Sequence, residues 1–139
     1  MPKNLFKMKI LFSAISLLLF ITLVISPILL FKRLTTTKLK LPIYLGLEII
    51  ITAIILLIMG WWSSKSTEIL LFQNGYNFDA MNEQERYANV ASENLEHVKN
   101  LEISRNGIGW PAKIILIYPF CLVYVLLIYF VMNLTKKSK

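Results

Sequence analysis

The sequence predicts an all-α integral membrane protein of three transmembrane helices, with a polar, partly helical loop of about 50 residues between helices 2 and 3. Three observations carry this. Of the 139 residues, 56% are hydrophobic, more than a water-soluble domain of this size tolerates. Three apolar runs, 10–31, 42–62 and 114–134, are each about 21 residues, or about 30 Å as helix, the thickness of a hydrocarbon core. The basic residues gather at the ends of those runs, where phospholipid headgroups lie.

The N-tail, 1–9, carries Lys3, Lys7 and Lys9 ahead of the first run. A basic start followed by an apolar run is also how a secretory signal begins. Here the run is about twice the usual signal length, and the only small-residue cleavage site, ending at Ser26, is followed by Pro27, which blocks cleavage. Residues 10–31 therefore read as a retained span. The connector 32–41 holds Lys32, Arg33, Lys38 and Lys40, and its shortness makes spans one and two a helical hairpin. Span two ends on Trp61 and Trp62 and span three is preceded by Trp110, so these three rings are expected to anchor both helices at one interface. The C-tail, 135–139, is basic again.

Counted span by span, basic residues put the connector and C-terminus in the cytoplasm and the N-terminus outside. A lysine-rich N-tail resists export, which keeps the reverse orientation open. The net charge of +7 is spread over span flanks, so a nucleic-acid partner is not expected.

Within the polar segment 63–113, an acidic amphipathic helix is predicted over about 80–104. Tyr87, Ala91, Leu95, Val98 and Leu101 recur at helical spacing as one narrow apolar stripe. Asp79 is the expected N-cap and Asn106-Gly107 the stop, with Glu83/Arg86 and Glu96/Lys99 spaced to pair. From Asp79 to Glu102 there are six acids against Arg86 and Lys99. Anionic lipid would repel the helix, so its stripe is expected either to cap its own bundle or to bind a protein partner through Tyr87, Leu95, Val98 and Leu101.

The second span contains one ionisable residue, Glu48, about 9 Å past Pro42 along the helix. An ionised carboxylate at mid-span costs about 2 to 3 kcal/mol, so a neutral, hydrogen-bonded group is expected there. Tyr44 and Thr52 share its helix face. Counting depth along span one puts Ser26 at its level and Thr22 at that of Thr52; span three brings Tyr129 to the same leaflet. The expectation is an intramembrane polar cluster of Glu48, Ser26, Tyr129, Thr52, Thr22 and Tyr44. Structural glue between helices, a proton-carrying or partner-facing group, and a residue simply reaching the interface are the three readings of Glu48; snorkelling of Lys38 or Lys40 toward it is the alternative to the cluster.

Pro27 and Pro119 sit inside spans and predict bends. Gly46 and Gly60 are too far apart for close-packing small-residue spacing. One cysteine, Cys121, and one histidine, His97, assemble neither a disulfide nor a metal site, and no cofactor is expected. Cys121 reads as a packing residue and His97 as a solvated one. No nucleophile-base pair or phosphate loop appears, so the chain is expected not to be an enzyme.

What remains is a protein acting by contact: an immunity, exclusion or accessory factor engaging another membrane protein or a membrane-active toxin. In size and span count the chain resembles the three-span inner-membrane immunity proteins of bacteria that defend against pore-forming toxins. The resemblance is architectural, carries no residue over, and implies a multi-pass location in a bacterial inner membrane. A structural subunit of a larger complex and an oligomeric pore, with the chain as a homo-oligomer, are the alternatives.

Overall fold

The computed structural model describes residues 3–34 and 40–137. The centre of the basic connector with Lys38, the first two residues and the last two lie outside the described residues. The described chain is helical: α1 (Lys3–Arg33), α2 (Lys40–Gln73), α3 (Glu83–Tyr87), a 3-10 turn (Ser92–Asn94), α4 (Leu95–Asn106) and α5 (Trp110–Lys137). Helices α1, α2 and α5 are long and apolar enough to cross a membrane. All three exceed the predicted spans. At 34 residues α2 is about 51 Å long and runs eleven residues, about 16 Å, past Trp62.

The bundle has α2 at its centre, packed on α1 and on α5. Its polarity is inverted relative to a water-soluble domain. Tyr44, Glu48 and Thr52 are buried along one face of α2, while Leu18 and Phe120 are 63% and 77% exposed on the outside. Aromatic packing ties the basic end together: Phe31 of α1, Tyr44 of α2 and Tyr129 of α5 lie with ring centroids 5.2 to 6.2 Å apart.

At the other end Gly60 lets α5 approach α2. A Cβ there would lie 2.5 Å from Ile114 Cδ1 and 3.0 Å from the Trp110 ring. Gly46 faces open space instead. Trp110 thus stands at the level of Trp61 and Trp62. Trp61 is exposed, whereas Trp62 turns inward onto Phe12 at 5.5 Å and its Nε1 is buried without a partner among the described residues. Trp62 is therefore a packing residue rather than an outward anchor.

The polar segment differs most from expectation. Its first eleven residues continue α2, and the predicted helix over 80–104 is two helices with a break between them. Asn82, not Asp79, caps α3: its side chain accepts from Glu85 N–H at 2.8 Å and donates to Glu85 Oε1 at 2.8 Å. Asp79 instead donates its own N–H to Asn77 Oδ1 in a turn. The break has a packing reason. In one continuous helix Tyr87 and Val98 would be about 16 Å apart and unable to cover one cluster. Bending between them brings both onto Leu71 and Tyr76, with Phe78, Val90 and Leu101 around. The local sequence, Asn89 and Val90, favours helix weakly enough to allow it. The stop at Asn106-Gly107 is as the sequence predicts, with the Gly107 N–H on Ile103 O.

Candidate functional site

Two assemblies concentrate the chemistry-bearing side chains. The first is the Glu48 cluster. Pro27 has no N–H to give Leu23 O, and Ser26 Oγ stands in, 3.3 Å away. The same hydroxyl is 3.4 Å from Glu48 Oε2. A hydroxyl has one proton for two acceptors, so a donor on Glu48 completes the chain from carboxyl to Ser26 to Leu23 O. Glu48 Oε1 and Thr52 Oγ1, one turn apart on α2, are buried without partners among the described residues.

The other expected members divide. Tyr44 lies beside Glu48, but its hydroxyl donates to Val125 O of α5 at 3.2 Å. Tyr129 stacks on Tyr44 and Phe31 and makes no hydrogen bond to Glu48 among the described residues. Thr22 is exposed and donates to Leu18 O of its own helix, so it is not a member. Four residues advance a helix by about 400°, which rotates Thr22 about 40° from Ser26 and out of the interface. Glu48 makes no ion pair among the described residues, and Lys40 stands beside Lys136 rather than reaching inward.

Sequence reasoning missed Tyr118 and Tyr124. Tyr118 donates to Ile49 O at 3.0 Å and Tyr124 to Val24 O at 2.9 Å. With Tyr44 they form three clasps, each a tyrosine hydroxyl on the spare lone pair of a neighbouring helix's carbonyl. The signal was present as phenols within an apolar run, but an acceptor on the backbone has no sequence signature. Replacement of Glu48 by glutamine is expected to keep this arrangement, since the amide donates to Ser26 as a carboxyl does. Abundance and unfolding midpoint in detergent should match the parent; a fall in midpoint of several degrees would show that the carboxyl does more than link helices.

The second assembly is a cap built on the end of α2. Glu102 is its hub: Tyr76 donates to Oε1 at 2.6 Å, Arg86 to Oε1 at 3.2 Å, and Tyr87 to Oε2. Burial alone would raise the Glu102 carboxyl, but the bonds from Tyr76, Tyr87 and Arg86 outweigh it and hold it below the usual range. The predicted Glu83/Arg86 and Glu96/Lys99 pairs are replaced by Arg86 with Glu102 and by Lys99 with Glu83 at 3.9 Å, because α3 folds back toward α4.

The stripe is consumed inward. Val98 is fully buried and Tyr87 and Leu101 pack on the Leu71 cluster, while Ala91 and Leu95 are exposed, so this stripe offers a partner no continuous face. His97 is not the solvated residue expected: its Nε2 is buried without a partner among the described residues, and burial, then nearby Lys9, holds its pKa below the ordinary value. Lys9 and His97 also place the start of α1 on the cap side.

No family model matches the chain, and neither does any curated protein or solved structure. The two assemblies stand on their own geometry.

Acid should loosen the cap in two steps. Unfolded His97 takes up a proton that folded His97 resists, so stability falls as pH drops below about 6.5. Glu102, depressed in the fold, adds a second loss as pH falls through the carboxylate range. Protection factors for hydrogen exchange over 76–106, taken against the intrinsic rate at each pH, should fall between pH 7 and 5.5, and again toward pH 3.5. In a His97→Gln variant the first step should disappear.

Proposed function

We propose that the chain is a small, non-enzymatic, multi-pass membrane protein that acts by protein contact through its cap. The observation that supports this most is how the cap is built. Its aromatic and charged interior, Tyr76, Tyr87, Arg86 and Glu102, is spent on holding it to α2, while Glu83, Glu85, Glu93 and Glu96 point outward with Met81, which is 96% exposed. A rigid acidic surface with an exposed apolar side chain suits a basic partner: another membrane protein or a membrane-active toxin, as for an immunity, exclusion or accessory factor. The inverted polarity of the bundle supports insertion, with Lys40 and the Trp61 level about 30 Å apart on α2. The location we propose is a bacterial inner membrane, with the N-terminus and cap outside and the C-terminus inside.

A second reading, as a structural subunit or part of an oligomeric pore, is favoured by the open apolar groove between α1 and α5 lined by Phe20, Leu23, Phe120 and Cys121, which a helix of another subunit would fill. Photocrosslinkers at Met81 and Glu85 in native membranes separate the two. Capture of one heterologous partner, reduced at least tenfold by Glu93→Lys with Glu96→Lys, supports contact through the cap. Self-crosslinks alone would replace that reading with the oligomeric one. Release of the chain by alkaline carbonate would remove the membrane reading itself.

A further inference from the structure

A cavity of about 250 Å³ opens between α2 and α5 beneath the end of α4. Its lining falls into two chemically distinct parts, apolar toward the middle of the helices and polar toward the cap, where the Lys113 ammonium reaches Ser104 O. The deeper half is walled by Leu56 and Met59 of α2 and by Ile114 and Ile117 of α5. The outer half is walled by Arg105 and Lys113 with the hydroxyl residues Ser63, Ser64, Thr67 and Ser104. From Leu56 to Thr67 it follows α2 for about 16 Å, the length of a headgroup and the first carbons of its chains.

We infer that this cavity binds a phospholipid of net negative charge, its phosphate between Arg105 and Lys113 and one acyl chain along the Leu56–Ile117 wall. The inference rests on the reading that α1, α2 and α5 cross a bilayer. Charge complementarity selects the ligand. No carboxylate lines the cavity, and Arg105 and Lys113 are in no ion pair among the described residues.

Glu68, which Arg105 also attracts, is engaged by Lys65 at 3.0 Å. Arg105 Cζ stands 4.7 Å from the centroid of the Phe78 ring, a cation–π contact that positions the guanidinium and leaves N–H donors for an oxyanion. Lys113 gives one proton to Ser104 O at 3.3 Å and keeps two. The Ser64 and Ser104 hydroxyls make no hydrogen bond among the described residues and are further donors to phosphate oxygens. A free phosphate would leave the deeper half empty, and a zwitterionic lipid would bring a cation against Arg105 and Lys113. An anionic amphiphile satisfies both halves.

The test is native mass spectrometry of the full chain released from nanodiscs of mixed phosphatidylglycerol and phosphatidylcholine. The parent should retain phosphatidylglycerol at least tenfold over phosphatidylcholine. Arg105→Gln with Lys113→Gln should reduce that preference to within twofold, while Lys136→Gln, at the opposite end, should leave it intact. Equal retention of the two lipids by the parent would overturn the inference, as would a preference lost with Lys136→Gln but kept in the double variant. Displacement of the retained lipid by inorganic phosphate alone would reduce the site to an anion site and overturn the lipid assignment. Circular dichroism of each variant reports folding, and the carbonate and crosslinking experiments above report separately on insertion and on contact.

Discussion

Replacing Gly75 with alanine is expected to be the most damaging single-methyl change in the protein, lowering stability by about 4 kcal/mol. Gly75 has φ of +84° and sits just past the end of α2. Its N–H bonds Phe72 O at 3.0 Å, and the N–H of Tyr76 bonds Leu71 O at 3.1 Å, closing the helix in a Schellman motif. The residues that make the motif's apolar contact, Leu71 and Tyr76, are also the heart of the cap core. A side chain in this left-handed conformation costs roughly 1 to 2 kcal/mol. The added Cβ would also lie 2.3 Å from Asn89 O, a backbone atom that cannot rotate away, at a further cost of about 1 to 3 kcal/mol. Limited proteolysis should cut the variant between Asn77 and Asn94 under conditions that leave the parent whole. Equal resistance of both would show that the turn is not what holds the cap.

The second large effect is expected at Tyr44. Truncation to alanine should cost about 3 kcal/mol and separate the helices at the basic end. Tyr44 is 1% exposed, contacts Phe31 and Tyr129, and donates to Val125 O. One side chain therefore joins all three long helices. Phenylalanine keeps the ring and loses only the clasp, worth about 0.6 kcal/mol on the scale of interhelical bonds in a membrane. Unfolding in graded SDS should rank parent, Tyr44→Phe and Tyr44→Ala in that order, with the larger step between the last two. A phenylalanine variant as damaged as alanine would mean that the Val125 bond, not the ring, holds the bundle.

How much was legible in the sequence differs between the bundle and the cap. Run length and tryptophan placement located the long helices, because the thickness of an apolar layer is a constraint each helix meets alone. Depth counting brought Ser26 to Glu48, since antiparallel helices of known rise have a fixed register. It failed for Thr22, because depth says nothing of rotation, and Ser26 with Pro27 set the face that turns inward. It assigned Tyr129 to hydrogen bonding when the ring was needed for packing. In the cap, a period of four, four, three and three looked like one helix because Tyr87, Val98 and Leu101 of the stripe do face the core. The break between Tyr87 and Val98 was invisible, since it answers to Leu71 and Tyr76 far back in the chain. Glu102 read as one acid among six; only the return of Tyr76, Arg86 and Tyr87 singles it out.

The uninterrupted course of α2 has a mechanical meaning. A single helix carries Glu48 and Tyr44 near one end and Leu71 near the other, with no proline in its interior to act as a joint. Whatever grips the cap therefore holds a stiff lever of about 51 Å whose far arm is the axle of the bundle. A tilt of about 5° imposed at the cap would displace the opposite end by about 4 Å if that helix does not flex, enough to slide Tyr44 off Phe31 and Tyr129. With the chain inserted as proposed, load applied outside the apolar layer would be delivered to its far face without a relay of intervening contacts.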